Sequence, residues 1–205
     1  MTELTIPDAD ERGDLGAFVA RVVRLDPTAM ARLRAGDGTV TAWASTPFDV
    51  LATRTVHGRV DPHDVTVSAN ALLTALAVEK AATVDPGGGG VWPGDLPPDA
   101  GWSPVDVVPA AEIDALTERG LAVARENAGP MGPPASLLDQ PVLTVSAAAG
   151  PTVKVPLRCL FALSGMGFVG AEGEVRVSAT GAWLRLDAHY GAVVRRRIRT
   201  LPLLV

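Results

Sequence analysis

Residues 156–190, PLRCLFALSGMGFVGAEGEVRVSATGAWLRLDAHY, decide the fold because their apolar pattern changes period midway. Pro156 suits a first helical turn, and Leu157, Leu160, Phe161 and Leu163 follow at helical spacing until Gly165 and Gly167 stop the pattern. From there the period is two. Val175, Val177 and Ala179 share one strand face, Arg176, Ser178 and Thr180 the other, and Leu184, Leu186 and Ala188 resume the apolar face beyond a Thr180-Gly181 turn. A buried helix feeding a β-hairpin is the expectation. The spacing Gly165-Met-Gly167-Phe-Val-Gly170 also fits a dinucleotide fingerprint, but that motif needs a strand before the glycines and a helix opening at them. Here the order is reversed, so the glycines are expected to stop a helix, and no cofactor is assigned.

Outward from this stretch, the same two periods organise the chain as an α+β fold in which antiparallel β-hairpins pack against helices. Residues 1 to about 9 are expected to fray, and Leu15, Phe18, Val19, Val22 and Val23 then form a helical stripe. Asp26-Pro27 looks like the start of a second short helix through Met30, Leu33 and Arg34. TVTAWAS and FDVLATRTV make a hairpin, and Thr66 or Ser68 caps a helix through Leu72, Leu73 and Leu76. Residues 85–105 carry four consecutive glycines and break every pattern, although Trp92 and Trp102 argue that the segment is pinned to a surface. The expected organisation is therefore an N-terminal half at 1–84, a Gly/Pro-rich linker at 85–105 and a C-terminal half at 106–205. In the last part, a helix begins at Pro109, a short one follows in PASLLDQ, PVLTVSA and TVKVPL form a third hairpin, and a final strand starts near Ala192. At an offset of 135, Gly38, Val40, Ala44, Ser45 and Phe48 line up with Gly173, Val175, Ala179, Thr180 and Trp183, a hint that the halves are pseudo-duplicated.

The 205 residues suffice for a sizeable core, which must be built from Val, Leu and Ala because aromatics make up only 4%. The net charge of −5 is uneven: residues 1–100 hold 8 basic and 14 acidic residues, the remainder 10 and 9. Such a balance does not draw the whole protein to nucleic acid or to an anionic membrane. The lone Cys159 suits a reducing compartment, and the acidic start lacks the basic and apolar regions of a secretory signal, so a cytoplasmic protein is expected.

Residues that carry chemistry are sparse. His57, Asp61, His63 and Asp64 form one cluster, expected in a loop, where imidazoles and carboxylates would serve a metal or a proton transfer; its spacing matches no metal or catalytic motif, so neither a metal nor a catalytic residue is assigned. Arg195, Arg196, Arg197 and Arg199 follow a helix and a hairpin, an order that invites a winged-helix DNA-binding alternative, but the preceding helix offers only Arg158 and a serine to a groove. Trp43 projects away from Val40, Ala42 and Ala44 and is expected either beneath a neighbouring helix or in a partner contact. Leu201, Leu203 and Leu204, with Ile198, make an apolar tail that should be covered by the chain's own helices or by a second subunit, since each large aliphatic side chain gains roughly 1.5–3 kcal/mol on burial.

The runs Arg24-Leu-Asp-Pro27, Trp43-Ala-Ser-Thr-Pro47-Phe48 and Met166-Gly-Phe168 resemble a family of uncharacterised actinobacterial proteins of similar length. That resemblance implies no activity. The residues themselves favour a non-catalytic binding or assembly protein, a homodimer or one with a protein partner. The alternatives are a nucleic-acid-binding regulator using the arginines and an enzyme with an unfamiliar site around His57 to Asp64.

Overall fold

The computed structural model describes residues 1–79, 81–130, 132–148, 150 and 152–197. In chain order the elements are β1 (Glu3–Thr5), α1 (Ala9–Leu25), β2 (Met30–Ala35), β3 (Thr39–Thr46), β4 (Val50–His57), β5 (Arg59–Asp61), β6 (Asp64–Ser68), α2 (Ala69–Glu79) and β7 (Thr83–Val84). They continue with β8 (Ser103–Pro109), α3 (Ala110–Glu126), α4 (Ala135–Leu138), β9 (Pro141–Ser146), β10 (Thr152–Pro156), α5 (Leu157–Gly165), β11 (Glu174–Ala179), β12 (Trp183–Ala188) and β13 (Gly191–Arg196). The fold is α+β, with antiparallel sheets packed against helices.

One eight-stranded sheet, ordered β6-β2-β3-β4-β13-β12-β11-β8, runs through both halves of the chain. Its pairs are all antiparallel, and β4 joins β13 through Leu51 opposite Val194, Ala52 opposite Val193 and Thr53 opposite Ala192. The order is a palindrome. A helix followed by three strands (α1 with β2, β3 and β4; α5 with β11, β12 and β13) occurs twice, and a strand leading into a helix (β6 into α2; β8 into α3) flanks each triplet. The pseudo-symmetry thus pairs β2 with β11. The offset of 135 pairs β3 with β11 and so misses it by one strand, because short alternating strands match one another in any frame. Two small sheets, β5-β1-β7 and β10-β9, complete the fold.

The helices cover one face of the large sheet. On that face Leu33, Val40, Ala42, Ala44, Ala52, Val177, Leu186 and Val193 are buried in a single core with Leu15, Phe18, Val19 and Val22 of α1 and Leu160 and Leu163 of α5. Asp8 caps α1 by accepting from the Asp10 and Glu11 amides, each at 2.9 Å. The far end of α5 is closed by Gly167 at φ 59, with the Gly167 amide on the Ser164 carbonyl at 2.9 Å and the Phe168 amide on the Leu163 carbonyl at 3.0 Å. The glycine-rich stretch is therefore a helix stop.

Four expectations are corrected. Residues 3–5 pair as β1 because Leu4 and Ile6 are fully buried, which ties down the terminus. Met30 to Arg34 is strand and not helix: Asp26 ends α1 and turns the chain by accepting from the Thr28 amide at 2.8 Å, after which Ala31 and Leu33 point inward at period two. The run from His57 to Asp64, expected in a loop, is largely strand: His57 ends β4, Arg59–Asp61 is β5 and Asp64 begins β6. Finally, the linker ends earlier than 105, because Ser103 onward forms β8 with Val105 and Val108 buried against the sheet end.

Phe168 holds the two units together beneath the sheet. Its ring stacks on Phe18 of α1 with centroids 6.2 Å apart, and it packs so tightly over Gly191 that a Cβ there would lie 2.7 Å from ring carbons. Phe168→Ala should therefore lower unfolding free energy by about 3–5 kcal/mol in urea denaturation, since neighbours on both sides cannot collapse into the space. A loss below about 1 kcal/mol would show that the ring is not packed as described.

Candidate functional site

The residues around His57 do not converge. His57 ends β4, and its Nδ1 lies 2.6 Å from Oε1 of Glu11 on α1, while its backbone amide also donates to Glu11. Asp64 begins β6, where Arg32 donates to both its oxygens at 2.7 Å and Arg34 lies 3.7 Å away. Asp61 lies on β5 opposite Glu3, and His63 precedes β6 with its carbonyl accepting from the Ala35 amide at 2.7 Å. Among the described residues, no three His, Cys, Asp or Glu side chains gather where they would hold a metal ion, and no catalytic site is evident. The hydrogen bond from His57 depresses the Glu11 pKa, and the same bond raises that of His57. Arg32 in turn holds Asp64 below the usual carboxylate range.

Strand alternation divides the arginine cluster. Arg195 turns to the helix side, 2.9 Å from Asp139 and 3.8 Å from Asp49. Arg196 turns to the outer face, 2.7 Å from Asp95 and over the Trp183 ring at 5.8 Å. Arg197 donates to the Thr180 carbonyl at 3.3 Å. α5, the helix that a winged-helix reading needs in a groove, is buried from Leu157 through Leu163. Arg199, Leu201, Leu203 and Leu204 lie outside the described residues.

Trp43 is buried, but its cover is the segment between β7 and β8 and not a helix. Trp92, Leu96 and Trp102 pack onto Trp43, Trp183 and Val194, so residues 85–102 form a strap across the outer face of the sheet. Gly90 lets the strap lie close, because a Cβ there would meet the Thr66 carbonyl at 2.9 Å as well as the Met30 methyl.

Sequence reasoning missed the seam between the halves. There the β3–β4 turn meets α3, α4 and α5 around a cavity of about 530 Å³ whose walls include Pro47, Phe48, Leu121, Leu138 and Phe161. Phe48 and Phe161 meet edge to face at 6.0 Å. Beside it, the buried Arg158 donates to Asp139 at 2.9 Å and to the Phe48 carbonyl at 2.7 Å, fixing the turn against α5. Arg125 at the cavity rim has no ion-pair or hydrogen-bond partner for its side chain among the described residues. The neighbouring Cys159 is buried, and burial pushes its thiol up to about 12. The signal available in the sequence was weak, since these positions come from four separate segments.

The architecture has counterparts among solved structures. It is similar to the DNA polymerase sliding clamp of Caulobacter crescentus (TM-score 0.61, 17% identity, covering 98% of this chain and 67% of that one). It is also similar to the sliding clamp of Pseudomonas aeruginosa with ligand (TM-score 0.60, 14% identity, covering 99% and 66%). A third likeness is to the Bartonella birtlesii sliding clamp bound to griselimycin (TM-score 0.55, 14% identity, covering 99% and 67%). The chain thus spans about two-thirds of the length of these clamps. It belongs to the family described as Domain of unknown function (DUF8185), matched over residues 97–200, and residues 1–91 match a second, Domain of unknown function (DUF8010). No curated protein matches it in sequence. Among the described residues, no helix is long and apolar enough to cross a membrane.

The His57–Glu11 pair has a pH signature. Its contribution through His57 is complete below the unfolded histidine pKa and is lost as pH rises through the raised folded value. Its contribution through Glu11 is present above the unfolded carboxylate pKa and is lost as pH falls through the depressed one. In an NMR titration His57 should deprotonate above the usual histidine range, and Glu11→Gln should return it there. An unchanged His57 titration in that variant would show that the contact is not formed.

Proposed function

We propose that this protein acts by binding, as a clamp-like body that takes a protein segment in the seam between its halves and does not hold DNA against its helices. The observation that carries this is the seam cavity, with apolar walls from both halves and, at its rim, the guanidinium of Arg125, which has no partner among the described residues. Apolar walls with one cation complement an apolar segment bearing a carboxylate. The helical layer supports the second part of the reading. α1, α2 and α3 together carry five arginines against eight carboxylates, and a surface that holds duplex DNA must instead neutralise phosphates. A homodimer, in which a second copy supplies the segment, falls within the same reading.

The probe for the cavity is anilinonaphthalene sulfonate, an apolar dye with one anionic group. It should bind the folded protein saturably, and Leu121→Asp or Arg125→Glu should weaken that binding roughly tenfold while shifting stability by no more than about 0.5 kcal/mol, because both side chains are at the surface. Mixed-sequence duplex DNA, followed by fluorescence anisotropy, should show no binding that falls steeply between about 50 and 200 mM salt. Dye binding unaffected by both variants, or tight salt-sensitive DNA binding, would overturn the reading.

A further inference from the structure

The outer face of the large sheet holds a second cavity, of about 640 Å³, between the strap and strands of both halves. It is distinct from the seam, which lies on the helix side. Three guanidinium groups border it: Arg34 of β2, Arg176 of β11 and Arg185 of β12. Arg185 is occupied, with its Nε 2.8 and 2.9 Å from the two oxygens of Asp187 and its head over the Trp102 ring at 6.0 Å. Arg34 is shared between exposed Asp99 at 3.3 Å and Asp64 at 3.7 Å. Arg176 is different. The β11–β12 register places it opposite Asp187, but Arg185 has claimed that carboxylate, and Arg176 is left exposed without a partner among the described residues.

The floor of the cavity adds an independent sign. Thr53 of β4 is only 3% exposed and lines this space, and its enclosed hydroxyl has no hydrogen-bond partner among the described residues. A buried hydroxyl without a partner is costly, whereas a valine of the same shape would fill the position without that cost. Among the described residues the cavity therefore combines one unpaired cation with a second, Arg34, that is held only at 3.3 and 3.7 Å, above an enclosed and unsatisfied hydroxyl. Arg34, Arg176 and Arg185 outnumber Asp99 and Asp187 on its walls, so the balance favours an anion.

We propose that this cavity is a binding site for a small organic phosphate. The planar fork of Arg176 fits a phosphate or a carboxylate, and phosphate is the better match because its doubly charged head offers more acceptor oxygens to a guanidinium and to the polar wall around it. The strap roofs one side and Asp64 and Asp99 stand at the edge, an arrangement that repels the continuous backbone of a nucleic acid and admits a compact ligand.

Isothermal titration at constant ionic strength, with inorganic phosphate, ribose 5-phosphate and citrate as probes, tests the site on the full chain. Ribose 5-phosphate or inorganic phosphate should bind saturably at one site and raise the melting temperature. Arg176→Gln should weaken that binding roughly tenfold or more, as expected for loss of one charge-assisted hydrogen bond. Arg176→Lys, which keeps the charge but not the planar fork, should retain part of the binding that Arg176→Gln loses, a graded effect that simple loss of folding would not give. Failure of both phosphates to bind, undiminished binding by Arg176→Gln, or a site that takes citrate in preference to phosphate would each overturn the proposal.

Discussion

The pairing of β4 with β13 is the constraint on which the rest of the molecule depends. Three residue pairs, Leu51 with Val194, Ala52 with Val193 and Thr53 with Ala192, turn two four-stranded units into one sheet with one core. Both strands would otherwise be edges, exposing unpaired amides and carbonyls. Side-chain size supports the join: Ala44 and Ala52 are buried beneath the helices, leaving room for α1 and α5 to approach the strands on either side. Arg158 reinforces it from the helix side, because its two hydrogen bonds tie the Phe48 carbonyl of one unit to Asp139 of the other. The seam cavity exists only because these units meet in this way.

The same sheet separates two chemistries. Its helix side is apolar at the centre, with more carboxylates than arginines on the covering helices. Its outer side carries Arg32, Arg34, Arg176, Arg185 and Arg196, because period-two alternation sends these positions away from the core. The strap then crosses this polar face and covers its aromatic centre at Trp43 and Trp183. The likeness to sliding clamps is one of backbone arrangement.

Much of the fold was legible because it depends on local period. The helix from Leu157 to Gly165, the hairpin after it and the strand pair around Trp43 follow directly from apolar spacing. β2 was not, because MARLRA has good helix formers, and only its pairing on both sides with β3 and β6 makes it a strand. β8 was hidden by prolines at both ends and by a Gly-rich neighbour. Of the site residues, Trp43 and the linker tryptophans could each be picked out but not joined, since 49 residues or more separate them along the chain. Arg176 and Thr53 had no signal at all. A free cation and an orphaned hydroxyl are properties of neighbours brought together by tertiary structure, and neither period nor motif records them.

The central claim is that the two units fold as one body through β4 and β13. Scanning calorimetry of the full chain measures this most directly, by comparing the calorimetric enthalpy with the van't Hoff enthalpy. One transition with the two enthalpies equal is the predicted result. Two separable transitions, or a calorimetric enthalpy about twice the van't Hoff value, would mean that the units unfold independently and would contradict the account.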